Sequence, residues 1–211
     1  MNCLDNFKDI KEEIYKLQSK SNLIVVSKNR SLETVLPIIE NGHLHFGENR
    51  VQEAKEKWST FLDNNRRDIK LHLIGRLQSN KVTDAFALFD FIHTLDSEKL
   101  AKKFSQLEKS SKKKIKYFIQ INIGEEAQKS GIEQTLVKEF INFCRNDMNL
   151  NIIGLMCIPP VNLDSSPFFK KMKDLTVINN LNELSMGMSS DYKKAIYYGS
   201  TYLRIGSAIF G

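Results

Sequence analysis

The chain has 211 residues, 41% of them hydrophobic and 27% charged, with a formal net charge of +6. That fits one globular domain over 1–211 with room for a sizeable core. No apolar run approaches the length of a membrane span, and three scattered cysteines, Cys3, Cys144 and Cys157, make no disulfide framework.

The N-terminal stretch is charged and amphipathic, with Leu4, Phe7, Ile10, Ile14 and Leu17 on one helical stripe and no signal-peptide core. A cytoplasmic protein is expected. Eight strands then alternate with amphipathic helices. The strands are predicted over Asn22–Lys28, His43–Asn49, Lys70–Gly75, Phe91–Asp96, Ile115–Gly124, Asn151–Ile158, Glu183–Ser189 and Tyr202–Gly206. Helices are predicted over Ser31–Glu40, Val51–Leu62, Gln78–Leu88, Ser97–Lys109, Glu133–Asn146, Phe168–Leu175 and Asp191–Tyr198. Leu23 to Val26 and Ile152 to Leu155 are apolar on both faces, as parallel strands covered on both sides are. Asn41-Gly42 reads as a helix C-cap, Asp96-Ser97 as a helix start, and Pro159-Pro160 as a strand stop. Eight such units predict a single parallel (β/α)8 barrel, with a doubly wound open sheet as the competing architecture. The chain runs out after the last strand, so the N-terminal helix is expected to cover the gap there.

Chemistry in such a barrel sits at the C-terminal strand ends. The first strand ends in Ser27-Lys28-Asn29 and the second in Gly47-Glu48-Asn49-Arg50, where Glu48 and Arg50 are read as a local ion pair. Arg76, Gln78 and Asn80 follow the third and are read as capping its helix. Lys28 shares a strand face with Ile24 and Val26 and is either solvated at the rim or aimed at a ligand. Desolvated beside a cation such as Arg204, it would become a usable amine nucleophile. Phosphate sites in these barrels are frequently built by the loops after strands seven and eight. Here those loops carry Gly187, Ser189, Gly206 and Ser207, and barrel closure sets strand eight beside strand one. A small phosphorylated aldehyde held by Lys28 fits that layout. There is no Walker loop, no GxGxxG, no serine-hydrolase elbow and no histidine or cysteine set at metal-ligand spacing. The modest positive charge lacks the aromatic interleaving of a nucleic-acid-binding surface.

Several ordered segments carry a resemblance. They are Val25-Val26-Ser27-Lys28, His45 to Glu53, His72 to Lys81, Gly154-Leu155-Met156, Leu184 to Asp191, and Arg204 to Gly211. Together they make the chain similar, over nearly its whole length, to the YggS/PROSC family of pyridoxal 5′-phosphate (PLP) homeostasis proteins, which resemble the barrel domain of bacterial alanine racemase. The resemblance implies that Lys28 is the Schiff-base lysine. It implies that Ser189, Gly206 and Ser207 hold the phosphate, that Arg204 faces the pyridine nitrogen, and that Asn49 and Met156 line the cofactor. An arginine there only donates, which keeps the ring nitrogen neutral and weakens the electron sink. The expectation is therefore a PLP carrier that passes the cofactor to apo-enzymes, a monomer without nucleic-acid or membrane partners. The enzymatic alternative is a narrow-range amino-acid racemase using Lys28. Tyr192, Tyr197, Tyr198 and Tyr202 lie near the site in sequence, the first three read as helix packing residues.

Overall fold

The computed structural model describes residues 2–64 and 68–211. The chain opens with α1 (Cys3–Lys16) and then lays down β1 (Asn22–Val26), α2 (Leu32–Glu40), β2 (His45–Glu48), α3 (Val51–Asn64), β3 (Lys70–Leu73), α4 (Val82–Leu88), β4 (Phe91–Leu95) and α5 (Glu98–Lys109). The second half continues with β5 (Lys116–Ile121), α6 (Val137–Asn142), β6 (Asn151–Cys157), α7 (Ser166–Ile178), β7 (Glu183–Ser185), α8 (Tyr192–Tyr197), β8 (Tyr202–Ile205) and α9 (Ser207–Phe210). A five-residue π-helical stretch, Phe143–Asp147, extends α6.

The strands form a closed parallel barrel in sequence order. Closure comes from β1 pairing with β8, with Ile24 opposite Arg204 and Val25 opposite Ile205. The open-sheet alternative is thereby overturned. Strand alternation divides the buried residues into two sets. Outward residues such as Val25, Phe46, Leu71 and Ile119 pack under the helices in the main core. Inward residues Ile24, Phe91, Phe118, Met156 and Tyr202 fill the barrel as a separate cluster. The barrel is thus a packed core whose free space is confined to its ends.

The N-terminal helix does what the stripe predicts, with one change. Phe7, Ile10 and Ile14 are buried, and α1 packs on α2 and on α9. Asn6 Nδ2 donates to Ile209 O at 3.0 Å, tying the two ends of the chain together. Leu17 falls on the C-cap and is 45% exposed, because the helix stops one residue before it could join the stripe.

Several strands end earlier than predicted. β1 stops at Val26, so Lys28 lies two residues beyond it. β7 stops at Ser185, because Gly187 takes φ +91° and a Cβ there would come within 2.5 Å of Ala195 Cβ. Asp191 Oδ1 then accepts from Met188 N at 2.7 Å and tightens the turn that carries Ser189. The segment read as the start of the third crossover helix is a turn as well. The helix begins at Val82, so Gln78 and Asn80 lie outside it.

Candidate active site at the strand ends

The C-terminal mouth of the barrel holds a cavity of about 940 Å³. β1 and its exit supply Val26 and Lys28, and the exits of β2 and β3 supply Asn49, Ile74, Gly75 and Arg76. Thr94, Gln120, Asn122, Lys129 and Ser130 line the far wall. Ser189 comes from the loop after β7; Arg204, Gly206 and Ser207 come from β8 and its exit.

Six of the seven residues singled out in the sequence therefore meet in one space: Lys28, Asn49, Ser189, Arg204, Gly206 and Ser207. Met156 does not join them. It is fully buried in the lower inward cluster with Phe118 and Tyr202, one layer beneath the cavity. Strand alternation gives the face on which a side chain lies but not its depth in the barrel.

Lys28 has no hydrogen bond or ion pair to any described residue. It is exposed in the open mouth rather than desolvated, because the strand has ended before it. The strand end behind it is fixed firmly. Ser27 N donates to Gly47 O at 3.0 Å, and Ser27 Oγ donates to Glu48 Oε1 at 2.7 Å. Glu48 is therefore not the partner of Arg50. Glu48 follows the inward Gly47, so it faces outward, is fully buried, and pairs with Lys57 of α3 at 2.9 Å.

On the adjoining strand exit Gly206 sits tight against β1. A Cβ there would lie 3.1 Å from both Val26 Cβ and Val26 O, so backbone and no side chain fills this point. Ser189 Oγ accepts from Ala208 N at 3.1 Å, which joins the β7 and β8 loops into one cradle.

Arg204 forms the floor. It is 4% exposed and has no carboxylate partner among the described residues. Its guanidinium donates to Ser185 Oγ at 2.6 Å and to Cys157 O at 2.8 Å. Burial pulls its proton affinity below the ordinary arginine value, but a guanidinium remains charged in proteins. The lining thus contains four cations, Lys28, Arg76, Lys129 and Arg204, and no aspartate or glutamate among the described residues. Lys129 is partly neutralised by Glu126 at 2.6 Å. A concave mouth of this sign attracts anions. Arg76, read from sequence as a helix cap, is part of this lining. Thr94 and Gln120 were not anticipated; Gln120 shares the inward face of the fifth strand with Phe118, whereas Thr94 follows the inward His93 and reaches the cavity through the register shift between Ile92 and Leu95. No tyrosine lines the cavity among the described residues. Tyr192 bonds Glu13 through its hydroxyl, Tyr197 is exposed, and Tyr202 lies in the lower cluster.

Comparison with known proteins agrees with this fold. The family model described as alanine racemase, N-terminal domain, matches residues 2–211. A pyridoxal phosphate homeostasis protein of Aquifex aeolicus is 32% identical over all of this chain and 98% of its own length. One from Haemophilus influenzae is 37% identical over 92% of this chain and 86% of its own. The solved structure of PipY from Synechococcus elongatus with PLP bound superposes with a TM-score of 0.88 at 30% identity, each chain being covered completely. Alanine racemase from Bacillus anthracis shares the fold at 16% identity, with a TM-score of 0.74 over 99% of this chain and 55% of its own.

Proposed function

Given that the chain belongs to the alanine racemase N-terminal domain family, and within it to the pyridoxal phosphate homeostasis proteins, we propose that it binds PLP in the strand-end cavity and keeps it in reserve for other enzymes. The observation that carries this reading is the pairing of an unpartnered Lys28 with a carboxylate-free cradle across the β1–β8 seam. The residues present fit the group. Lys28 supplies the amine for covalent attachment. Ser189 and Ser207 offer hydroxyls and Gly206 an unobstructed backbone to a phosphate. Arg204 would offer its donors to the ring nitrogen, and Asn49 would line the cofactor. Met156 is left out of this contact set because of its depth. That PipY was solved with PLP supports the assignment.

When bound, PLP supplies an aldehyde that captures amines and a ring that withdraws electrons. Around it, this chain's residues favour holding over turnover. An arginine that can only donate leaves the ring nitrogen unprotonated, and protonation is what makes the ring a strong electron sink. Racemisation would also need an acid on the face opposite Lys28, and none of the tyrosines of the described chain reaches the cavity. The open mouth suits release to an apo-enzyme. The unpaired thiols Cys144 and Cys157 suit the cytosol, where we place this work, and a monomer is the form we expect.

The test is to load the purified protein with PLP, record its visible spectrum, reduce with borohydride and map the adduct by peptide mass. A phosphopyridoxyl group on the Lys28 peptide is expected. PLP-saturated protein with Lys28 unmodified would overturn the reading. Transfer to an apo-enzyme without interconversion of D- and L-amino acids would then separate the carrier from the racemase.

A further inference from the structure

Inside the barrel, beneath the cavity, three histidines stand in single file. His45 Nδ1 lies 2.9 Å from His72 Nε2, His72 Nδ1 lies 2.9 Å from His93 Nε2, and His93 Nδ1 lies 2.9 Å from Ser185 Oγ. Ser185 Oγ in turn takes a hydrogen bond from Arg204 at 2.6 Å. The file starts at the N-terminal mouth, where His45 is half-buried, and ends under the cavity. His72, His93 and Ser185 are all 0% exposed. Aromatic stacking fixes the ring planes. His72 lies on Phe91 at 4.2 Å and 15°, and His93 on Phe118 at 4.3 Å and 20°.

The donor inventory fixes the direction of every bond. A guanidinium has no acceptor, so Ser185 Oγ must accept from Arg204. A serine hydroxyl has one proton to give, and among the described residues its remaining neighbour in the file is His93 Nδ1. Donating there makes His93 Nδ1 an acceptor and puts that ring's proton on Nε2. His93 Nε2–H then donates to His72 Nδ1, and His72 Nε2–H to His45 Nδ1. The opposite polarity leaves the Ser185 proton without an acceptor in a dry site, which is costly. In the satisfied arrangement all three rings are neutral, and each turns its electron-rich Nδ1 towards Arg204.

We propose that His45, His72, His93 and Ser185 are positioning residues for Arg204: a tautomer-locked file of dipoles, negative ends towards the guanidinium, that stands in for the missing carboxylate. Buried charges ordinarily need a partner. A carboxylate would cancel the cation, whereas aligned neutral dipoles stabilise it and leave it a full-strength donor at the cavity floor. The consequence for a ring nitrogen above it rests on the PLP reading; the lock itself does not.

Side-chain ¹⁵N NMR on histidine-labelled, PLP-free protein tests the lock without any cofactor. The expected pattern is a single neutral tautomer for each of His45, His72 and His93, protonated at Nε2. Protonation at Nδ1 of His72 or His93 would overturn the proposal. The second measurement uses Ser185→Ala, which removes the hydroxyl proton that fixes the direction of the file. With the hydroxyl gone, only the attraction of the Arg204 charge for the Nδ1 ends still favours the native polarity, so a second tautomer is expected to appear at His93, His72 and also His45, at the far end of the barrel. Ser185→Thr, which keeps the hydroxyl, restores the single pattern. A folded Ser185→Ala protein whose His45 signal is unchanged would reduce the file to packing and refute the lock. Should Ser185→Ala fail to fold, the wild-type and Ser185→Thr spectra still decide. Absence of a Lys28 adduct would defeat the PLP reading while leaving these spectra to stand on their own.

Discussion

Glu48 Oε1 and Lys57 Nζ lie 2.9 Å apart on the outer wall of the barrel, behind the strand end that carries Lys28. Both side chains are removed from water, at 0% and 7% exposure. The same carboxylate oxygen accepts from Ser27 Oγ and from Trp58 Nε1 at 2.9 Å, while Lys57 also donates to Ser27 O at 2.6 Å. One ion pair therefore holds both the hydroxyl and the carbonyl of the residue just before Lys28, and couples α3 to the site.

Breaking that pair from the lysine side should be costly. Lys57→Met leaves Glu48 as a buried charge without a cation, a situation worth roughly 3–5 kcal/mol of lost stability. Urea denaturation of the PLP-free protein at neutral pH should show a clear fall in midpoint with an unchanged slope. A change within about 0.5 kcal/mol, typical of surface substitutions, would mean that the pair contributes little.

Acid should weaken the fold through the histidines. Burial pushes His43 down to about 4 and holds His45, His72 and His93 below the ordinary imidazole value, His72 and His93 well below it. In the unfolded chain each binds a proton near pH 6.5. Below that pH the unfolded state binds more protons, so their contribution is fully present above about pH 6.5 and is lost as pH falls through the folded values. Denaturation midpoints at pH 7.5 should exceed those at pH 5. His43→Phe keeps an aromatic ring between Phe7 and Phe46, at centroid distances of 5.1 and 5.3 Å in the native pair, and should flatten the dependence. An unaltered slope in that variant would remove His43 from the account.

The barrel and most of its mouth were legible because two periodicities carry them. Alternating strands and helices gave the order of elements, the strand ends pointed to Lys28, Arg204 and Gly206, and the family resemblance added Asn49. Depth and register were not legible. Met156 shares the inward face that leads to the cavity but sits a layer lower. Glu48 could have been placed outward by alternation from Gly47, yet its partner on α3 lies nine residues on and needed the helix to be docked. The histidine file was hidden because its members come from three strands, and only pairing such as Gly47 opposite His72 brings the rings into line. A sequence shows three isolated histidines on apolar strands; the barrel's stagger makes them neighbours.

Gly75 sits where β2 and β3 leave the barrel, and a Cβ there would lie 2.2 Å from Asn49 O. Backbone cannot give way as a flexible side chain does. Gly75→Ala should therefore destabilise by about 1–3 kcal/mol, the usual range for overpacking, and displace Asn49 from the cavity wall. Thermal melting reads the first effect, and PLP titration of the folded fraction reads the second as weaker binding. Unchanged PLP affinity would argue that Asn49 does not touch the cofactor.

Lys28 separates function from stability. It is exposed and makes no contact that the fold depends on, so Lys28→Ala should change the stability of the PLP-free protein by no more than about 0.5 kcal/mol. A ligand that binds only the folded state raises stability by RT ln(1 + [L]/Kd), which is about 2.7 kcal/mol at a hundredfold excess over Kd. Saturating PLP should therefore raise the melting temperature of the wild-type protein. The rise should shrink sharply in Lys28→Ala, because the phosphate cradle remains but the covalent hold is gone. Lys28→Arg keeps the charge without offering a nucleophilic amine and should behave like the alanine variant. If Lys28→Arg retained the full stabilisation, attraction between charges and not attachment would be the source of binding.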